Sequence, residues 1–454
     1  MRTHGKLAAA AATALALAGT LPALAAGPAA AAPAKYADDF DGDGYRDYAS
    51  GWGGEVTVTY GTATGPGPRT VRFTQDSPNV PGRAGDAGGY ADTFGDQVAD
   101  ADLDGDGYAD LAVADRSEKA GTTAGAGAVT VLWGARSGLG TKATRIPARS
   151  TAGFGTALAS GDFTGDGKPD LAVADATGTL FVYRGGFSPS GTTGAVTRLE
   201  VSPSGAEVLE PTAIVAGRVN KDKAADLYVL GQGYRNGRMT QAAWFVQGGA
   251  TVKRGAYTTY NATQADFSSN GVIADFDRNG YGDLAVSDRP YDHGAGAVVV
   301  LRGGASGPTT SYRLSQSTSG VATAASKDDR FGSSLTAGDT DRDGYPDLAV
   351  GVTEEEAGSA GDAGGVHVLR GGRSGLTGTG SQWFTRATAG VPGSPADGEM
   401  LGLHVRLRDF DRDGDADLLM SGDYYRTGVL LRGSGSGVTA DRAAESGLDP
   451  GFPQ

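Results

Sequence analysis

Residues 331–350 read FGSSLTAGDTDRDGYPDLAV, and the acidic part of this stretch recurs along the whole chain. The recurring phrase has nine residues: Asp at position one, Asp or Thr at three, Asp or Asn at five, Gly at six and Asp at nine. Intact copies begin at Asp39, Asp102, Asp162, Asp275, Asp339 and Asp409, and a damaged copy begins at Arg218. A unit that returns every 56 to 70 residues predicts one small structure copied seven times.

The residues around each copy predict four strands per unit. A short apolar run such as Leu348–Gly351 follows the phrase, as expected of a buried strand. A second apolar run (for example Ala297–Leu301), a Gly-rich turn and a polar alternating stretch such as Ser311–Ser315 come next. The pattern predicts an all-β fold, a seven-bladed β-propeller of four-stranded antiparallel blades, over residues 33–454. A stacked solenoid is the rival, but its repeats are usually shorter.

Residues 1–32 have the features of a secretory signal peptide. Arg2, His4 and Lys6 form a basic start, and an Ala/Leu run follows from Leu7 to about Ala18. Small residues then offer cleavage sites at Ala26 or near Ala32. The apolar run is too short for a membrane span. We therefore expect a secreted, extracellular mature chain without membrane insertion, and the absence of Cys excludes disulfides.

The formal net charge of −14 argues against nucleic-acid binding. Much of this charge lies in the repeated phrase, whose six intact copies hold 22 carboxylates at candidate ligand positions. Six bound dications would offset 12 of the 14 negative charges. The acidity is therefore interpreted as metal sites as much as solvated surface.

Each intact copy predicts a calcium loop. Calcium takes six to eight oxygen ligands in flexible geometry, and a tight loop with oxygens at alternating positions can supply them. Gly at position six permits the sharp bend. Side chains at positions one, three, five and nine and the carbonyl at position seven give these predicted ligands: Asp39, Asp41, Asp43, Tyr45, Asp47; Asp102, Asp104, Asp106, Tyr108, Asp110; Asp162, Thr164, Asp166, Lys168, Asp170; Asp275, Asp277, Asn279, Tyr281, Asp283; Asp339, Asp341, Asp343, Tyr345, Asp347; Asp409, Asp411, Asp413, Asp415, Asp417.

The copies are not expected to bind equally. Thr164 and Asn279 replace carboxylates and should weaken their sites. The damaged copy, Arg218–Asp226, has a cation at position one and Lys223 in place of Gly, so it is predicted to hold no metal, with its lysines and arginine pairing the remaining acids. Mg²⁺ requires stricter octahedral geometry, and Zn²⁺ would need Cys or a His cluster. An Asp-Gly turn without metal is the alternative for any single copy.

The combination of Phe-Gly, the Asp phrase, Leu-x-Val and a Gly-initiated apolar strand resembles the FG-GAP repeat of the integrin α-chain head, which is also found in bacterial secreted proteins. Residues 331–350 match this pattern from end to end, and the resemblance covers about residues 36–450. It implies a seven-bladed propeller with calcium in the hairpin loops between the first two strands of the blades, and an adhesion-type role. The first unit lacks Phe-Gly before Asp39 and the last has Leu401-Gly402 instead, so the motif does not specify how the ring closes.

No catalytic motif accompanies the repeats. After signal removal the chain keeps three histidines in different units, and we interpret His367 as part of a strand face and His293 as a loop residue. The loops opposite the calcium loops vary most, so the leading hypothesis is recognition of an extracellular protein or glycan there. A secreted hydrolase or lyase using the same face, and a structural module without a ligand, are the alternatives. Packing of loop against loop is the other reading of the residues expected there, which are Trp52, Arg116, Glu118, Tyr234, Arg235, Tyr291, His293, Glu354, Glu355, Glu356, Tyr424 and Tyr425.

Overall fold

The computed structural model describes Met1 and residues 33–446 except 86–91, 202–207, 236, 263–268 and 423–426. The predicted signal peptide, apart from Met1, therefore lies outside the described residues. The described residues form strands, turns and irregular segments, and no helix among them is long and apolar enough to cross a membrane.

In the part of the chain that the structure describes, twenty-seven strands form seven separate antiparallel sheets, which confirms the predicted propeller. We number the blades in chain order. Blade 1 has three strands, β1 (Tyr48–Trp52), β2 (Glu55–Thr62) and β3 (Gly65–Phe73). The other blades have four strands each: β4 (Gln97–Ala101), β5 (Asp110–Asp115), β6 (Ala128–Leu132), β7 (Ala143–Arg145); β8 (Ala157–Gly161), β9 (Asp170–Ala174), β10 (Thr179–Tyr183), β11 (Val196–Glu200); β12 (Leu209–Gly217), β13 (Asp226–Arg235), β14 (Arg238–Gln247), β15 (Lys253–Asn261); β16 (Gly271–Ala274), β17 (Asp283–Ser287), β18 (Val298–Leu301), β19 (Ser311–Leu314); β20 (Phe331–Gly338), β21 (Asp347–Val352), β22 (Gly365–Arg370), β23 (Thr377–Phe384); β24 (His404–Arg408), β25 (Asp417–Ser421), β26 (Gly428–Arg432), β27 (Thr439–Ser446).

Burial follows strand position within a blade. In blade 3 the inner strand β8 is partly buried, β9 and β10 are buried throughout, and the outer strand β11 has only half-buried and exposed residues. The two middle strands are the Leu-x-Val and Gly-initiated runs of the sequence, which need apolar residues on both faces because a neighbouring blade covers each face. The prediction of buried middle strands and a polar outer strand is confirmed.

The core consists of apolar clusters between neighbouring blades. One cluster contains Phe163 of blade 3 and Trp244 of blade 4, and another contains Phe276 of blade 5 and Phe331 of blade 6. The smallest cluster joins blade 7 to blade 1 through Phe410 and Tyr48, whose rings are 5.6 Å apart. This contact closes the ring, which the sequence motif did not specify.

Blade 1 departs from the predicted four strands because the described residues place no strand ahead of its Asp phrase. Residues 33–38 instead turn at the end of the propeller that carries the Asp phrases, where the Ala34 amide donates to Asp102 Oδ2 at 2.8 Å. Asp38 is held there by Arg46 at 3.0 Å and by Arg408 of blade 7. Charged contacts thus hold this segment, which lacks the Phe-Gly lead-in seen before blades 2, 3 and 6.

Candidate metal loops and the opposite face

The Asp phrases connect the first two strands of the four-stranded blades and precede β1 in blade 1. We call them loops 1 to 7, beginning at Asp39, Asp102, Asp162, Arg218, Asp275, Asp339 and Asp409. In blade 2 the register pairs Ala101 with Asp110, so loop 2 closes a hairpin whose ends are fixed by the sheet. Antiparallel pairing therefore brings positions one and nine together in each hairpin.

The six intact loops share one internal hydrogen-bond pattern. The position-six Gly amide donates to Oδ2 of the position-one Asp at 2.8–3.1 Å. The position-seven amide donates to the position-five side chain, also at 2.8–3.1 Å. Positions four and six have positive φ in these loops, for example 58° at Arg342 and 82° at Gly344 of loop 6. The chain therefore curls around the position-one carboxylate, and Gly supplies one left-handed residue at no steric cost.

The residues fit a hard cation. Carboxylate oxygens converge within 4.8 Å in four loops, on Asp39, Asp41 and Asp43, on Asp102, Asp104 and Asp110, on Asp339, Asp341 and Asp343, and on Asp409, Asp411 and Asp413. Buried Oδ1 atoms of Asp39, Asp339 and Asp409 have no hydrogen-bond partner. Burial and then the adjacent Asp43 carboxylate raise the pKa of Asp41, which a bound cation would reverse. Oxygen-only donor sets of this kind suit calcium.

The position-nine Asp has a structural role that sequence reasoning missed. Asp110 accepts hydrogen bonds from the amides of Leu103 and Gly134, both at 2.8 Å, which ties the loop to the turn between the third and fourth strands. Burial raises its pKa to about 8. Equivalent bonds to that turn occur in every blade, including blade 4, where Asp226 accepts from Gly248 at 2.9 Å. The last Asp of the phrase therefore supports the hairpin whether or not the loop keeps the other ligands.

Arginines also contact the loops and were not anticipated. Arg302 Nη1 lies 2.7 Å from Asp277, and Arg370 Nη1 lies 3.0 Å from Asp341. The signal was present in the sequence as Arg-Gly at the end of the third strand in blades 3, 5, 6 and 7. Blade 2 has Trp133 at this place, so loop 2 keeps four carboxylates without an arginine from this turn. Charge count therefore favours loop 2 as the strongest cation site.

Neighbouring loops touch through positions four and seven. The guanidinium of Arg412 in loop 7 lies 3.8 Å from the ring centre of Tyr45 in loop 1. Lys221 of loop 4 lies over Tyr281 of loop 5 at 4.2 Å, and Arg342 of loop 6 binds Asp415 of loop 7 with Nε at 2.6 Å. Since position seven is a predicted carbonyl ligand, loops 1, 5 and 7 each contact the preceding loop at a predicted ligand residue.

Loop 4 lacks the closed curl. Neither Lys221 nor Lys223 has positive φ, and Arg218 offers no carboxylate at position one. The expected pairing of its cations with its acids is wrong for the part of the chain that the structure describes. Asp226 instead accepts hydrogen bonds from the backbone amides of Val219 and Asn220, and Lys221 lies over the ring of Tyr281.

The opposite face holds the loops between the second and third strands and the connectors between blades. Of the residues expected there, Trp52 is 51% exposed, and Tyr234 and Tyr291 are also exposed. Glu118 is instead buried and paired with Arg145 at 2.9 Å, so it packs loop against loop. Tyr424 and Tyr425 lie outside the described residues, as does the side chain of Arg235.

A cavity of about 560 Å³ opens at the centre of this face. It lies where the inner strands begin, and its wall carries hydroxyl and amide groups together with the guanidinium groups of Arg116 and Arg289 and the carboxyl group of Asp96. Burial raises the pKa of Asp96, and Arg116 opposes this shift. The wall draws on all seven blades, including Gly51, Thr93, Thr156, Thr212, Asn270, Ser333 and His404.

His367 lies on a strand and His293 in a loop, as predicted from the sequence. His367 is fully buried on β22, where Nε2 lies 2.9 Å from Thr323 Oγ1 and the ring packs against Trp383. Burial lowers its pKa to about 3, so it stays neutral. His293 is exposed in a turn, next to Asp292. His404 lines the cavity, and burial lowers its pKa to about 4.

Comparisons with known proteins match the repeats. A family model described as FG-GAP-like repeat covers residues 102–173 and 162–229, and one described as FG-GAP repeat covers residues 331–369. The chain is 30% identical over 165 residues, 35% of its length, to phosphatidylinositol-glycan-specific phospholipase D of Rattus norvegicus, and spans 19% of that protein. A solved structure of an Agrocybe aegerita lectin that recognises non-reducing terminal N-acetylglucosamine is 15% identical, with a TM-score of 0.41, covering 90% of this chain and 78% of that chain.

Proposed function

We propose that this chain, a β-propeller built from FG-GAP repeats, is a secreted, calcium-stabilised module that binds a protein or glycan through the cavity face. The observation that carries the proposal is the separation of two faces. One face holds the acidic loops, and the other opens into a cavity of about 560 Å³. Ligand sites commonly occupy concave sites of about 300–1,000 Å³ with a few convergent polar groups.

Calcium belongs to the first face. Loops 1, 2, 6 and 7 bring together three carboxylates each, and loops 3 and 5 keep the same curl with Thr164 or Asn279 in the set. The ion would neutralise the convergent carboxylates and give the orphaned Oδ1 atoms a partner. The bound ion would stabilise the hairpin loops. Ligand recognition would then take place on the opposite, cavity face.

Recognition belongs to the second face. Hydroxyl and amide groups such as those of Thr156, Thr212 and Asn270 suit the hydroxyls of a glycan or the backbone of a protein loop, while Arg116 and Asp96 can orient a charged group. Trp52 and Tyr291, both exposed on this side, are residue types that contribute strongly to binding surfaces.

A glycan and protein-ligand array, probed with and without Ca²⁺, tests this proposal. We expect Arg116→Ala to weaken binding of any hit at least tenfold, because Arg116 lies in the cavity wall. Arg198→Ala, on the exposed outer strand β11, is the control and should bind normally. Equal binding by both variants, or no hit on either array, would count against the cavity as the recognition site.

A further inference from the structure

On the cavity side, two blade interfaces bury an acidic side chain beside an arginine. Between blades 1 and 2, Glu118 accepts a hydrogen bond from Gln75 Nε2 at 2.7 Å and pairs with Arg145 at 2.9 Å. Between blades 6 and 7, Glu399 pairs with Arg386 at 2.6 Å. Each buried carboxylate is thus balanced by a guanidinium group, as burial of a charge requires.

The interface between blades 5 and 6 repeats the first arrangement without the arginine. Gln316 Nε2 donates to Glu355 Oε2 at 2.6 Å, as Gln75 does to Glu118. Strand register pairs Thr130 with Arg145 in blade 2 and His367 with Trp383 in blade 6, so Trp383 stands where the guanidinium would be.

A second carboxylate joins this site. Asp329 is buried and lies within hydrogen-bonding distance of both Glu355 and Gln316. Within the described ranges, no Lys or Arg side chain pairs with either acid; Arg330, the cation next in sequence, pairs with Glu354 at 3.4 Å. Two adjacent carboxylates without a cation cannot both stay ionised, so an ion-free site has to share a proton between Asp329 and Glu355.

The amide oxygen of Gln316 is an independent sign of a missing partner. Gln316 is only 3% exposed, and its Oε1 atom has no hydrogen-bond donor. The same amide contacts Glu355 through Nε2, so its oxygen lies beside the acids. A buried acceptor without a donor costs about 1–3 kcal/mol. An ionised carboxylate cannot relieve this cost because it only accepts hydrogen bonds, whereas a cation can.

We propose that a calcium-type divalent cation binds among Asp329, Glu355 and Gln316, at the place that the Arg145 guanidinium takes in blade 2. Carboxylate and amide oxygens are the donors such an ion prefers, and Thr323 Oγ1, 2.9 Å from Gln316 Nε2, is a further oxygen nearby. The ion would tie the connector from β19 to β20 to blade 6. This site lies on the cavity side and is separate from the six loops.

Anomalous diffraction from crystals of the full chain soaked in Tb³⁺, a calcium substitute, tests the site directly. We expect a peak between Asp329 and Glu355. Filled loops with no peak at this position would overturn the inference and leave the loop proposal standing. A peak at this position with empty loops would support this inference and overturn the loop proposal.

Solution counts of bound Tb³⁺ give a second test. Glu355→Gln combined with Asp329→Asn should lower the count by one, whereas Glu118→Gln, the matched change in blade 2, should not.

Trp383→Arg places in blade 6 the arginine that blade 2 has at this position. It should also remove one ion, and it should raise the melting temperature in chelator. Trp383→Phe should lower tryptophan-sensitised emission without changing the count. An unchanged count in the double variant would show that a shared proton, not a metal, bridges the acids.

Discussion

Blades 4 and 6 hold the loop between their first two strands in different ways. Both keep the position-nine Asp, which accepts amides from the start of the loop and from the turn after the third strand. Loop 6 also curls around Asp339 with left-handed Arg342 and Gly344. Loop 4 has neither the curl nor the position-one acid. A blade therefore tolerates loss of the ligand set provided that the buried Asp remains.

Blade 4 has longer strands than blade 6. Its strands have nine, ten, ten and nine residues, compared with eight, six, six and eight in blade 6. The extra pairing adds backbone hydrogen bonds and buried side chains such as Leu209, which pairs with Gly233. Because each further buried apolar group contributes stability, we expect blade 4 to stay folded without a bound ion. Blade 6, with shorter strands and clustered carboxylates, is the blade that should need one.

Removal of Ca²⁺ by a chelator should give the largest difference between blade 6 and blade 4. In excess EDTA we expect a large fall in melting temperature, because each ion that binds only the folded state adds about 2.7 kcal/mol at a hundredfold excess over its dissociation constant. Hydrogen exchange followed by mass spectrometry should rise in residues 339–347 and stay unchanged in residues 218–226. Ca²⁺ should reverse both effects. A melting temperature indifferent to EDTA would refute calcium binding, and equal exchange in the two loops would refute the contrast.

Local pattern was enough to predict much of this difference. The curled Asp loops, the buried middle strands and the altered loop at Arg218 depend on residues close together in sequence. The Arg302–Asp277 pair, the bond from Gly134 to Asp110 and the lack of an inner strand among the described residues of blade 1 depend on which strands lie side by side. Register decides those contacts, and a single sequence does not display it. Glu118 shows the same limit, because its partners are 43 and 27 residues away.

Acid should weaken blade 6 before blade 4. His367 has a folded pKa of about 3, below its usual 6.5, so the folded state binds fewer protons than the unfolded state. Its contribution is complete above pH 6.5 and is lost as pH falls toward 3, by about 1.4 kcal/mol per pH unit. Register places Trp244, which does not titrate, at the equivalent position of blade 4. In chelator, the free energy of unfolding measured with urea should fall less between pH 7 and pH 4 for His367→Thr than for the wild type. Thr is the residue at this position in blade 2.

Removing the shared buried Asp should cost stability in blade 4 without any change in metal binding. Asp226→Ala leaves the amides of Val219, Asn220 and Gly248 without their acceptor, and we expect a loss of about 3 kcal/mol in unfolding free energy. Calcium counts by native mass spectrometry should stay at the wild-type value. Asp222→Ala, whose carboxylate accepts only the Ala224 amide among the described hydrogen bonds, is the milder control. A drop in the calcium count for either variant would mean that loop 4 holds an ion.

The comparison can also be reversed by building a site into loop 4. Arg218→Asp with Asn220→Asp and Lys223→Gly restores the acids at positions one and three and the Gly of position six. Lys221 can stay, because Arg342 adopts φ of 58° at the same position of loop 6. We expect one additional Ca²⁺ by native mass spectrometry and a modest gain in stability, of about 2.7 kcal/mol at a hundredfold excess of Ca²⁺ if the loop refolds without strain. Asp106→Ala in the same background should return the count to that of the wild type. A folded triple variant with no extra ion would show that the longer strands of blade 4, and not its missing ligands, keep the loop from curling.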